Sequence, residues 1–293
     1  MSFGKKNKIV ILGGSGFIGS HLSDYLSAKK FFKVVIFDNK NKKNLKRNQK
    51  FIKGSVLNEK KLSKAIRGSD YVFNFAALAD LDKAKNKPLE TAMINIVGMI
   101  KILKACKIHK VKKIIQASTI YANSEQGGFY GASKKAAEDY IERFYKKYKL
   151  KYTILRFGSL YGEGANENNG INIIIDYALK NKALLYKGSN RAARKYIHVL
   201  DACKACSQVM QGKYDNKYLN ITGSKTIRIT KLLGILSNIL NISKSKIYFN
   251  NKHNEGHYIG EPKKFVPRQG VNLNLKKHQN FKKELFKQYL ERK

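Results

Sequence analysis

Ile9-Val10-Ile11-Leu12 runs directly into Gly13-Gly14-Ser15-Gly16-Phe17-Ile18-Gly19: an apolar strand pattern, a glycine turn and the opening of a helical pattern. Gly13 can take the positive φ of a tight turn, and Gly16 has no Cβ to block a pyrophosphate approaching the backbone. Gly19 permits close helix–sheet contact, and the N–H groups that open the helix attract negative charge. A glycine turn alone is a common structural device. Here Asp38 closes the next strand pattern 19 residues after Gly19, where a carboxylate can accept the hydroxyls of an adenosine ribose and repel a 2′-phosphate. The combination points to NAD rather than NADP, although Lys40, Lys42 and Lys43 stand close by.

A second stretch, Tyr130-Gly-Ala-Ser-Lys134, sets a tyrosine and a lysine four residues apart in a helical pattern, so both side chains share one face. Free tyrosine titrates near 10, so about one molecule in a thousand is phenolate at pH 7. Lowering that value by about three units takes roughly 4 kcal/mol, which the Lys134 ammonium and a cationic nicotinamide could supply together. Tyr130 could then exchange a proton with a substrate hydroxyl while hydride moves to or from the cofactor. In so lysine-rich a chain Tyr-x-x-x-Lys arises easily by accident. Beside a dinucleotide turn it carries weight.

These groups need a scaffold that brings residue 13 to residue 130. Strand patterns at Lys8–Leu12, Val34–Asp38, Tyr71–Phe75, Lys113–Ala117 and Tyr152–Phe157 alternate with helical patterns at Ile18–Lys29, Glu59–Ile66, Thr91–Lys107 and Phe129–Tyr148. That alternation predicts right-handed βαβ units and a parallel sheet. After Gly158 the pattern loosens. Gly162, Gly164 and Asn166–Gly170 read as a loop, Gly188–Lys195 as a basic segment and Tyr218–Ile221 as a strand. Ile171–Asn181, His198–Met210, Ile229–Asn241 and the end of the basic tail read as helices. The expected fold class is α/β, a doubly wound parallel Rossmann sheet with a small C-terminal α/β substrate domain over its carboxyl edge. Residues 1–157 and about 196–222 would bind NAD, and residues 158–195 and 223–293 would form the interleaved substrate part.

The chain has 59 Lys+Arg against 20 Asp+Glu, a net charge of +39, and 43% hydrophobic residues. That apolar content excludes disorder as the overall state. Such charge ordinarily suggests nucleic acid, yet nine of the basic residues are Arg and the rest Lys, spread along the whole chain with 26 Asn. Base readout favours Arg, so compositional drift is the better reading and specific nucleic-acid binding is not expected. No apolar run approaches the ~20 residues of a membrane span, and the basic start leads into no secretory signal, so a cytoplasmic protein without membrane contact is expected.

Together these segments resemble the extended short-chain dehydrogenases/reductases, specifically the NAD-dependent nucleotide-sugar epimerase/dehydratase family, over about residues 8–222. Matching stretches are the glycine turn, Asp38, Asn74-Phe75-Ala76-Ala77, Asn95-Ile-Val-Gly98, Ser118-Thr119 before Tyr121, the Tyr130/Lys134 pair, Leu155-Arg156-Phe157 and Arg194-Lys-Tyr-Ile-His-Val-Leu-Asp201. The resemblance implies that Asp38 and Asn39 hold the adenosine ribose and that Ser55 and Val56 lie by the adenine. Phe75, Ala76 and Ala77 would line the cofactor, joined by Gly13, Gly16, Phe17, Ile18, Gly19, Asn95, Tyr130, Lys134 and Phe157. Arg194 corresponds to an arginine placed on the substrate diphosphate, a task its fork suits, and Ser159 stands where many members have an asparagine with the same contact. The family's catalytic Ser/Thr stands four residues before the tyrosine equivalent to Tyr121, which here is Ala117. Ser118 takes the role if the loop is one residue shorter, with Thr119 in reserve.

The resemblance implies NAD-dependent epimerisation of a nucleotide sugar, at C4 of a UDP-sugar, and a homodimer through a bundle containing the 129–148 helix. Rivals are a 4,6-dehydratase, a keto-sugar reductase and, in another class, a non-catalytic dinucleotide-binding, nucleic-acid-associated protein. Cys203-x-x-Cys206 lies in an apolar helical pattern without a partner pair and reads as core. His253 and His257 are not read as a metal site, and none is expected. His198 reads as a packed or hydrogen-bonded residue at a strand–helix junction, Glu163 and Glu167 as solvated charges.

Overall fold

Ile9 and Ile11 face one way along their strand and Val10 and Leu12 the other, and all four are buried. A strand apolar on both faces must be covered on both. The computed structural model describes residues 7–42, 44–124, 127–250, 270–273, 275 and 277–293. The chain begins β1 (Asn7–Leu12), α1 (Phe17–Ser27), β2 (Phe32–Asp38), β3 (Gln49–Lys53), α2 (Glu59–Ile66) and β4 (Tyr71–Asn74). Next come α3 (Leu81–Asn86), α4 (Pro88–Ala92), a π turn (Met93–Val97), α5 (Gly98–Ile108), β5 (Lys113–Thr119), a 3-10 turn (Ile120–Asn123), α6 (Gly128–Tyr148) and β6 (Lys151–Phe157). The remainder holds β7 (Ser159–Tyr161), α7 (Gly170–Asn181), β8 (Leu184–Lys187), β9 (Ala193–His198), α8 (Val199–Gln208) and β10 (Lys217–Ile221). It ends with β11 (Thr226–Arg228), α9 (Ile229–Leu240), β12 (Ile247–Asn250), β13 (Val271–Asn272) and α10 (Phe281–Arg292).

Eight strands form one sheet in the order β13-β10-β6-β5-β4-β1-β2-β3, and its neighbours pair in parallel. One face packs under α2, α5 and α6, where Val10, Leu12, Val35 and Phe37 meet Leu62, Ile66, Ile102 and Ile141. The other packs under α1 and α8, where Ile9, Ile11, Val34 and Ile36 meet Leu22, Leu26, Cys203 and Cys206. The expected Rossmann sheet is therefore present, with helices on both faces. A third apolar cluster joins α7, α9 and α10, with Ile175, Leu184, Leu233 and Leu285 at its centre.

Several elements differ from the sequence expectation. β3 was not anticipated, because Gln49-Lys50-Phe51-Ile52-Lys53 has the mixed polarity of a strand at the sheet's edge, which is where it lies. Lysines there discourage pairing with another chain. The helical pattern at Thr91–Lys107 is interrupted by the π turn, a one-residue widening that periodicity does not announce. The basic segment after Gly188 becomes β9 from Ala193 onward. β5 runs two residues past Ala117, which decides how Ser118 and Thr119 are aimed.

Candidate active site

A parallel sheet lines up the carboxyl ends of its strands along one edge. Asp38, Asn74, Thr119 and Phe157, the last residues of β2, β4, β5 and β6, therefore arrive on the same side as the turn after β1. Strand order runs outward from β1 in both directions, leaving a crevice above β1 and β4 of the kind that receives dinucleotides.

At the crevice floor Gly13 has φ +74°, and a Cβ built on it would stand 2.5 Å from Ala76 N and 2.7 Å from the Phe75 carbonyl carbon. Only glycine lets the turn pass so close to the chain leaving β4. A Cβ at Gly19 would run into the Gly13 carbonyl oxygen, which fixes α1 against the turn. Gly16 precedes α1 without a side-chain cap, so the first amides of this helix stay available to an anion. Phe17 and Ile18 follow, both half-buried.

Asp38 reaches back to this turn, its carboxylate accepting from Ser15 N and Lys40 N at 2.9 Å each. Lys42 turns away. Its ammonium donates to Ser20 O at 3.1 Å, and to Ser23 Oγ and Asp24 Oδ1 at 2.7 Å, pinning α1 instead of facing a 2′-phosphate. Lys43 lies outside the described residues, and Lys40 and Asn39 are exposed. Asp38→Ala is expected to weaken NAD binding and narrow the preference over NADP, read by titrating each cofactor. Equal affinity for the two in the unaltered protein would contradict the reading. Ser55 is exposed beyond β3, while Val56 is buried, with Gly98 packed on it so closely that a Cβ there would meet Val56 Cγ2 at 2.8 Å. Phe75, Ala76 and Ala77 are half-buried after β4, and the Phe75 ring lies 6.4 Å from that of Phe157.

Tyr130 stands in the first turn of α6. Gly127 (φ +94°) lets that helix begin against Tyr121, since a Cβ there would meet Tyr121 Cβ at 2.7 Å. The Tyr130 hydroxyl is hydrogen-bonded with the Thr119 side chain. Burial pushes the phenol above its usual range, Tyr121 adds to the rise, and the Thr119 bond opposes it. One turn on, Lys134 Nζ donates to Ala117 O at 3.0 Å and lies 5.7 Å from the Tyr130 ring centre. Burial pulls the Lys134 ammonium down to about 8, with Glu138 opposing the fall.

Two expected site residues are directed elsewhere. Successive residues of a strand point to opposite faces, so Ser118 and Thr119 cannot both meet Tyr130. Ser118 Oγ instead donates to Glu138 Oε1 at 2.6 Å, and the hydroxyl beside the tyrosine is Thr119. Asn95 is also spent inside the protein. Its side chain accepts from Leu78 N at 2.8 Å and donates to Leu78 O at 3.0 Å and Ser133 Oγ at 2.9 Å. It thereby braces α6 one residue before Lys134. Ser159 and Arg194 lie on neighbouring strands, Ser159 opposite Tyr196, two residues along β9 from Arg194. Arg194 Nη2 donates to Tyr186 Oη at 3.2 Å.

Glu138 was not anticipated. Its signal was an acidic residue four places after Lys134 on the buried face of a helix. Cys203 and Cys206 are free and buried, as is Cys106. His198 caps α8, Nδ1 accepting from Leu200 N at 3.4 Å, and packs against Glu284. Glu163 and Glu167 are exposed, and His253 and His257 lie outside the described residues.

The family model for NAD dependent epimerases and dehydratases matches residues 9–222. The chain belongs to the NAD dependent epimerase/dehydratase family. It is 29% identical over 273 residues to a Methanocaldococcus jannaschii protein provisionally named UDP-glucose 4-epimerase, covering 86% of this chain and 88% of that one. It is 30% identical over 248 residues to dTDP-D-glucose 4,6-dehydratase of Dictyostelium discoideum, covering 72% and 57%. Its fold is similar to that of UDP-N-acetylglucosamine 4-epimerase from Methanobrevibacter ruminantium M1, solved with UDP-N-acetylmuramic acid: TM-score 0.84, 26% identity, 99% of this chain and 100% of that one. For an epimerase/dehydratase the cofactor is NAD, and the Cβ-free turn, the uncapped start of α1 and Asp38 fit it. Among the described residues no helix is long and apolar enough to cross a membrane.

Proposed function

We propose that the chain epimerises a nucleotide sugar, a UDP-sugar at C4, through a transient 4-keto sugar. The observation that carries this reading is the Tyr130–Thr119 pair backed by Lys134, followed by Ile120 and Tyr121. A 4,6-dehydratase must also remove a C5 proton and protonate the departing C6 hydroxyl, and the family's dehydratases use an Asp-Glu pair after the catalytic threonine. Here that place holds no carboxylate, and the nearby Glu138 is committed to Ser118 and Arg156.

The glycine turn, the start of α1 and Asp38 would hold NAD, which would supply a reversible hydride acceptor. Tyr130 takes the proton of the C4 hydroxyl and later gives it back, while Thr119 orients that oxygen. Lys134 opposes the desolvation that otherwise keeps the phenol protonated. Arg194 and Ser159 hold the diphosphate, and the cluster joining α7, α9 and α10 forms the substrate part. Arg194→Lys is expected mainly to raise KM, since a point charge replaces a fork that binds phosphate at two points. Unchanged KM with lost cofactor binding would refute the assignment.

The deciding experiment is mass spectrometry of purified protein incubated without added cofactor with UDP-, GDP- and dTDP-sugars. Altered stereochemistry at constant mass supports the epimerase. Loss of water makes the protein a dehydratase, and gain of two hydrogens only with added NADH makes it a reductase. We also infer a homodimer through α5 and α6, whose Ile108, Phe129, Tyr140 and Tyr148 are exposed. Light scattering should return twice the chain mass; a monomer at working concentration refutes this.

A further inference from the structure

Behind Lys134 lies a buried charge cluster that the proposed chemistry does not use. Lys134, Glu138, Arg156 and Ser118 are 4%, 1%, 2% and 4% exposed, so bulk water does not screen the three charges. Arg156 stands opposite Ser118 in the β5–β6 register. Its Nε and Nη2 donate to Glu138 Oε1 and Oε2 at 3.0 and 2.6 Å, a two-pronged pairing. Ser118 Oγ donates to the same Oε1 at 2.6 Å. The Arg156 guanidinium lies 4.6 Å from the Tyr218 ring centre, and Tyr218 Oη donates to Glu142 Oε1 at 2.5 Å. Positions 134, 138 and 142 of one helix are thus each tied to the sheet beneath.

We propose that Glu138 is a positioning residue for the candidate catalytic pair: held by Arg156 and Ser118 one helical turn from Lys134, it seats that ammonium on the Ala117 carbonyl. The proposal rests on the reading of Tyr130 and Lys134 given above. Glu138, one turn along α6, acts on Lys134, Tyr121 after β5 acts on the neighbouring Tyr130, and Arg156 on β6 and Tyr218 on β10 act on Glu138. Two cations therefore share one carboxylate. Arginine does not surrender its proton, so Lys134 absorbs any imbalance. Without Glu138 the Arg156 charge stands unopposed, and Lys134 sheds its proton more readily. Without Arg156 the carboxylate serves Lys134 alone, and the proton is held harder. A role limited to packing predicts no such opposition of sign.

The test follows the Lys134 side chain by NMR in purified, 13C-lysine-labelled protein, its signal identified as the one lost in Lys134→Arg. Glu138→Gln is expected to lower the titration midpoint by about one pH unit, a tenfold loss of proton affinity. Arg156→Met, which keeps the packing on Tyr218, is expected to raise it, and the double variant to restore it. Should one single variant fail to fold, the sign of the other still decides. Midpoints that stay put, or move the same way in both, overturn the proposal even if melting temperatures fall. A fully active Tyr130→Phe would instead defeat the catalytic reading and leave these opposed shifts untouched.

Discussion

Tyr130→Phe is expected to fold, to bind NAD and to lose about 10²–10⁴-fold in kcat, with a much smaller change in KM. The ring keeps its place at the start of α6, so packing against Tyr121 and Thr119 survives. What disappears is the hydroxyl that exchanges a proton with the sugar. Lys134→Met should act in the same direction, because the phenol is pushed upward by burial and the variant takes away the cation 5.7 Å from its ring centre. The two hydroxyls before it should separate cleanly. Thr119→Ala removes the partner of Tyr130 and should lower kcat, whereas Ser118→Ala loosens a bond to Glu138 and should register more in stability. Steady-state kinetics beside thermal melts distinguish these outcomes. If Tyr130→Phe turned over at the unaltered rate, the proton-exchange reading would fail. An unaltered protein that turned over no sugar and bound RNA or DNA with steeply salt-dependent affinity would instead favour the non-catalytic reading.

The ambiguity between Ser118 and Thr119 shows where sequence reading ends. The crevice, the glycine turn, Asp38 and the Tyr130/Lys134 pair were legible because each depends on local pattern: a buried strand entering glycines, or two side chains one helical turn apart. The choice between adjacent hydroxyls depends on where β5 stops. Extending the strand past Ala117 to Thr119 sets their alternation, and no periodicity marks that end. Asn95 lies in the π turn, a widening no spacing announces, and its side chain bonds Leu78 and Ser133. The Glu138–Arg156 pair joins residues 18 apart across helix and sheet. Glu138 reads as an ordinary acid on a lysine-rich helix, and Arg156 as part of a matching stretch whose partner the spacing does not name. Only the register that sets Arg156 beside Ser118 reveals them as one cluster.

Gly13→Ala is expected to abolish NAD binding and to destabilise the fold, and the two losses share a cause. At φ +74° an alanine sits in the left-handed region at a cost of about 1–2 kcal/mol. Its methyl would also stand 2.5 Å from Ala76 N. That neighbour is backbone and cannot rotate aside, and β4 is held in register with β1 through Leu12 and Asn74. The turn must open, carrying the start of α1 away from the pyrophosphate. Gly16→Ala is the control that separates binding from folding. Gly16 has φ −76°, and its Cβ would meet only Gly13 O, at 3.3 Å, so the fold should hold. The methyl would nonetheless occupy the open approach to the helix amides, where a phosphate must come closest. Calorimetric titration with NAD, beside thermal melts, should therefore show both variants impaired in binding and only Gly13→Ala strongly destabilised. A Gly16→Ala protein that binds NAD with unaltered affinity would show that the pyrophosphate does not pass over this turn, and the assignment of the crevice would fall with it.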